Sequence, residues 1–167
     1  MLEIELLREL QEYIDRHSKT SCTFYKSISH MDSDISECPI PYELDDFINN
    51  NRKPEFNQVL FGYIDKKNAK DSDIYNRAGI DRRHFSKIRS NPNYRPGKNT
   101  VIALAIALKL NKKETDNLLS AAGYSLSESD TFDLVILFCI EKKIYDIDDV
   151  NQALNYFSLK PLARRIE

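Results

Sequence analysis

The chain has 167 residues, 41% of them hydrophobic and 30% charged, and a formal net charge of −2. Those proportions are ordinary for a soluble globular domain, and no run approaches the roughly 20 apolar residues needed to cross a bilayer. The opening MLEIELLREL alternates acidic with apolar residues, unlike the basic-then-apolar order of a signal peptide.

Residues 1–17 read as an amphipathic helix, because Leu6, Leu7, Leu10, Tyr13 and Ile14 recur at helical spacing with Glu and Arg between them. Residues 18–53 lose that order. They are rich in Ser and Asp, contain Pro39 and Pro41, and read as a linker with little regular structure. One short strand at Cys22–Tyr25 and one or two helical turns at 43–50 are the exceptions expected there.

From Pro54 the signals sharpen. Phe56, Leu60, Tyr63 and Ile64 fall on one face of a helix, with Pro54 suited to its first turn. Asp71 or Ser72 caps a second helix, which should stop at Gly79, since glycine tolerates the left-handed backbone of a helix stop. A third helix covers 81–90, with Asp81 as its cap, and ends before Pro92, which disfavours a helical residue ahead of it. After Pro96 and Gly97, TVIALAIALKL is apolar nearly all round, as a central buried helix should be. Asn111 with Glu114 forms a capping-box pattern for a helix stopping at Gly123. Ser127 is a cap for the helix through FDLVILFCIEKK. Asp146 caps a last helix whose Ile147, Val150, Leu154 and Phe157 fall at steps of three and four. With no strand pattern after Pro54, residues 54–162 predict a compact all-α bundle.

Little in the chain suggests catalysis. Cys22, Cys38 and Cys139 are odd in number and widely spaced, which fits neither a disulfide framework nor a zinc site, and a reducing cytoplasm is the expected compartment. Four glycines are too few and too dispersed for a phosphate-binding loop, and the three histidines are scattered. The expectation is a protein that is not an enzyme, with no cofactor and no metal.

Charge is the informative signal. Residues 1–50 carry 4 basic and 11 acidic side chains, a net −7; residues 51–112 carry 14 and 5, a net +9; residues 113–167 carry 6 and 10, a net −4. A basic middle between acidic ends points to a localised anionic partner, or to self-association. Within it lies AGIDRRHFSKIRSNPNYRPGK. On a helix of 100° per residue Phe85 and Ile88 define the inward side of 81–90. Arg83, Ser86, Lys87 and Ser90 then face outward, with Arg82 and Arg89 on a flank. A helix of this width fits the major groove of B-DNA, where arginine forks bind guanine edges or phosphates. Arg95, Lys98 and Asn99, on the loop and helix start that follow, are placed for a phosphate backbone. The bland alternatives are a solvated basic face, a Tyr94 packed on the surface rather than stacked on a base, and a His84 engaged in packing.

Residues 72–110 resemble the lambda-repressor-like (Cro/Xre) helix-turn-helix. The resemblance rests on Ile74, Gly79 at the turn, Ile80, Phe85 and Ile88, and on the Pro96–Leu110 segment. It implies a five-helix module reading double-stranded DNA with helix 81–90, and transcriptional regulation as the function. Arg82, Arg83, Ser86 and Lys87 would approach base edges, and Arg89, Arg95 and Lys98 the phosphates. The chain departs from that class at Tyr75, where a small residue usually stands between the crossing helices. Residues 55–162, through AAGYSLSESDTFDLVILFCIE and YDIDDVNQAL, are similar to an uncharacterised bacterial helical domain that often follows an ADP-ribose-binding macro domain. That similarity implies an accessory or regulatory module binding a protein or an anionic ligand, either stand-alone or as the tail of a larger protein. No macro domain is legible in residues 1–53. A palindromic DNA site would require a homodimer, for which the apolar Phe132, Val135, Ile136, Phe138 and Ile140 offer a surface if they do not simply complete the core.

Overall fold

The computed structural model describes residues 4–20 and 41–162, and all regular structure within them is α-helical. In chain order the helices are α1 (Ile4–Thr20), α2 (Pro41–Asn51), α3 (Phe56–Lys66), α4 (Asp71–Arg77), α5 (Arg82–Ser90), α6 (Lys98–Ala107), α7 (Lys112–Ala121), α8 (Thr131–Glu141) and α9 (Ile147–Tyr156). The strand expected at 22–25 lies outside the described residues. α2 occupies the segment where one or two turns of helix are expected, and it leaves Leu44, Phe47 and Ile48 exposed.

Two helices form the centre. α6 buries every residue from Val101 to Ala107, and α8 every residue from Asp133 to Ile140. α6 packs on α4, α7 and α9, while α8 packs on α1, α7 and α9. An all-round apolar helix must be enclosed, since each large aliphatic side chain withdrawn from water contributes about 1.5–3 kcal/mol. Val135, Ile136, Phe138 and Ile140 are therefore core residues of a single chain. Within α8, burial pushes the Cys139 thiol up to about 12, with help from the Asp149 carboxylate. That leaves little thiolate for chemistry at neutral pH.

α1 completes the cover of α8. Leu10 and Ile14 are buried, Tyr13 meets Phe138 edge-on with ring centroids 5.5 Å apart, and Lys142 pairs with Glu9. Burial, then the nearby Glu141 carboxylate, push the Tyr13 phenol up to about 12. The amphipathic pattern of the first helix is thus spent on docking to the bundle.

Helix starts follow the sequence in part. Asn111 Oδ1 accepts from Glu114 N at 2.9 Å while Glu114 Oε2 accepts from Asn111 N at 3.1 Å, closing the capping box. Asp81 and Asp146 cap α5 and α9. Three starts differ. α8 is capped by Asp130, which accepts from Asp133 N at 3.1 Å, and not by Ser127. Ser127 stands too early, and its hydroxyl closes a local turn by accepting from Ser129 N. α4 begins at Asp71 itself, with Lys70 at the cap position and no side-chain cap bond. α3 starts at Phe56, after Glu55, so Pro54 precedes the helix.

Six helix ends share one geometry, while α5 ends on the extended Asn91. Asn68, Gly79, Lys109, Gly123, Lys143 and Ser158 all take positive φ, between 48° and 80°. In each case the next residue's N–H returns to a carbonyl five residues before it, as with Ile80 N to Tyr75 O at 2.9 Å and Leu110 N to Ala105 O at 3.0 Å. This is the Schellman stop, in which an apolar residue after the turn packs back on the helix. Here Ala69, Ile80, Leu110, Tyr124, Ile144 and Leu159 fill that role, all buried or packed against the core. Only two of the six left-handed positions are glycine; the others accept a backbone cost of about 1–2 kcal/mol.

Candidate nucleic-acid interface

α4 and α5 are joined by four residues, Ala78 to Asp81. Gly79 makes the left-handed turn, Ile80 drops into the core, and Asp81 Oδ1 accepts from Arg83 N to start α5. The inward side of α5 is as its sequence periodicity requires: Phe85 is 3% exposed and Ile88 0%. Phe85 packs edge-on against Phe61 of α3 at 6.1 Å and, tilted, against Tyr75 of α4 at 5.7 Å. Tyr75 therefore fills the α4–α5 crossing with a half-buried ring.

Two further anchors hold α5. Asn57 of α3 is buried, and its Nδ2 donates to Ile88 O at 2.9 Å and Arg89 O at 3.3 Å. Those carbonyls belong to the last turn of α5, which has no partner within the helix. At the other flank, the Tyr94 hydroxyl lies 3.2 Å from His84 Nε2, and the Lys87 ammonium sits 4.3 Å from the centre of the Tyr94 ring. His84 and Tyr94 are thus partners in a strut between α5 and the following loop. Replacing Asn57 by alanine leaves the buried Ile88 carbonyl and the partly buried Arg89 carbonyl without this donor and should cost about 1–3 kcal/mol, read as a lower urea midpoint at unchanged slope.

The eight candidate contact residues divide into groups. Arg82, Arg83, Ser86 and Lys87 are exposed on α5. The guanidinium groups of Arg82 and Arg83 and the Ser86 hydroxyl have no hydrogen-bond or ion-pair partner among the described residues. Arg89 is on the same helix but is held: its Nη2 lies 2.8 Å from Asp71 Oδ2, and its guanidinium stacks 4.4 Å from the Phe61 ring. Arg95 is exposed on the loop after α5. Lys98 is turned inward, its Nζ 2.6 Å from Asp133 Oδ2, an oxygen that also accepts from Ser127 N at 2.7 Å. Asn99 is exposed beside it in the first turn of α6. Arg82, Arg83 and Ser86 therefore form a free outer face, with Lys87 beside them on the Tyr94 ring, while Arg89 and Lys98 already have carboxylate partners.

Several of these supports escape a reading of charge and periodicity alone. Asn57 has a visible signal: it stands three and seven residues before Leu60 and Ile64, so a polar side chain lies on the apolar face of α3. Asp71 and Asp133 have none, because their partners are 18 and 35 residues away. Among the described residues no cluster of His, Cys, Asp and Glu is arranged to hold a metal ion. No helix of the described residues is long and apolar enough to cross a membrane. No family model, no curated protein and no solved structure matches this chain.

Proposed function

We propose that the protein binds double-stranded DNA as a helix-turn-helix regulator of transcription, with α4 and α5 as the helix pair and α5 in the major groove. The observation that carries this reading is the outer face of α5: Arg82, Arg83, Ser86 and Lys87 are exposed, and the first three have no partner among the described residues. Phe85, Ile88 and Asn57 fix the helix beneath them. A rigid helix presenting arginine forks suits both bidentate guanine contacts and phosphate contacts. The net +9 of residues 51–112 supplies long-range attraction for a polyanion. In this reading Arg82, Arg83, Ser86 and Lys87 meet base edges, and Asn99 contacts the backbone.

The test is fluorescence anisotropy on labelled duplexes from a selected library, across 50–200 mM salt. Affinity should fall steeply as salt rises, by counterion release. Arg83→Ala should weaken the preferred site by about 1–3 kcal/mol and narrow its margin over other sequences. Absence of binding at the lowest salt would sink the proposal.

A second reading, docking of an acidic protein surface by the same face, draws on Arg89 and Lys98. Their pairing with Asp71 and Asp133 removes two of the phosphate contacts expected from the sequence. A partner recovered from lysate that is lost on Arg82→Glu/Arg83→Glu, with no duplex selected from the library, would favour it.

A further inference from the structure

Away from the outer face of α5, a cleft of about 420 Å³ opens between residues 52–55, the loop around Asn93 and Arg95, and the last turn of α7. Its size falls in the range of small-molecule sites. Three cations line it, Arg52, Lys53 and Arg95, and none has an ion-pair partner among the described residues. The Arg95 guanidinium reaches back towards Gly123, at the end of α7, and so borders the cleft. The side chains of Asn93, Ser120 and Glu55 also line it without a hydrogen-bond partner among the described residues.

We propose that this cleft binds a phosphorylated sugar or polyol. Three cations against the single Glu55 carboxylate leave the cleft an excess of positive charge, and a phosphate dianion both balances that excess and satisfies the guanidinium donors. The remaining wall is suited to hydroxyl groups. The Glu55 carboxylate accepts from them, the Ser120 hydroxyl gives or takes a hydrogen bond, and the Asn93 amide does both. Pro54, Val59 and Ala121 supply apolar contact for a carbon skeleton. Glu55 also argues against an extended polyanion, because a second phosphate at that wall would face a carboxylate. The free small ester therefore fits better than a nucleic-acid backbone, although the phosphate chemistry is common to both. The proposal goes beyond DNA binding and stands without it.

The experiment is titration calorimetry of the full chain with glucose 6-phosphate and glycerol 3-phosphate, with glucose as the uncharged control. Saturable binding of at least one ester, with none of glucose, is expected. Arg95→Ala and Arg52→Ala/Lys53→Ala should each weaken it by about tenfold or more, while Arg83→Ala leaves it unchanged. All these side chains are exposed, and far-UV circular dichroism checks that the variants fold. Glu55→Gln should weaken the sugar ester more than the glycerol ester, since the former offers more hydroxyls. No saturable binding of either ester, or binding indifferent to the cleft variants, overturns the proposal. A further arm adds duplex DNA. If duplex displaces the ester, and the cleft variants lose duplex affinity as Arg83→Ala does, the cleft serves the nucleic-acid backbone and the small-ligand assignment fails. If duplex and ester bind together, the assignment stands.

Discussion

Asp133→Ala is expected to lower the unfolding free energy by about 3 kcal/mol, the lower end of the range for breaking a buried ion pair from one side. Asp133 is 2% exposed, and one of its oxygens receives both Lys98 Nζ at 2.6 Å and Ser127 N at 2.7 Å. Removing the carboxylate leaves a part-buried ammonium and a backbone N–H without their shared acceptor. The Lys98 side chain retains 31% exposure, so its charge can reach water, which holds the loss to the lower end. Lys98→Met in the same background should recover part of the loss, because the stranded charge is then gone. Urea denaturation of the two single variants and the double variant measures both effects. A loss below about 1 kcal/mol for Asp133→Ala would show that the pair stabilises no more than an exposed one.

The second large effect is at Ile88. Its side chain is fully buried under α5, and Ile88→Ala should cost about 2–4 kcal/mol through lost transfer energy and the cavity left behind. The position matters as much as the sum. Ile88 anchors the helix that carries Arg82 and Arg83, and its own carbonyl is one of the two bound by Asn57. On the proposed reading, duplex affinity should fall with stability. Leu154→Ala in α9 is the control: it is equally buried, at comparable expected cost, but lies outside α4 and α5. Affinity measured well below the unfolding transition should separate the two. Equal affinities for both variants would mean that the seating of α5 does not govern binding.

Much of the architecture was legible because its cause is local. The all-round apolar runs of α6 and α8 had to be enclosed, and the capping box at Asn111 and Glu114 marks a helix start by chemistry contained in four residues. The four-residue turn into α5 was legible for the same reason, through Gly79 and Asp81. Non-local choices were not. Nothing near Lys98 announces that its ammonium turns to Asp133, since the two helix starts meet only after the bundle closes. Likewise Arg89 looks like its neighbours until α4 places Asp71 beside it. Four of the six left-handed stops fall on Asn, Lys or Ser, where no glycine advertises them. Local propensity there yields to the packing of the apolar residue that follows.

Those stops bear on how α5 meets anything at all. Ile80 is seated in the core one residue before the cap of α5, and the connection from α4 has no slack in it. A helix mounted in this way has little ordering entropy left to lose on contact, so less of the interaction energy is consumed in arranging the protein. It also cannot swing to follow an imperfect surface. On the proposed reading the conformational adjustment would then fall on the duplex, and discrimination would rest on how readily its sequence bends to a fixed template.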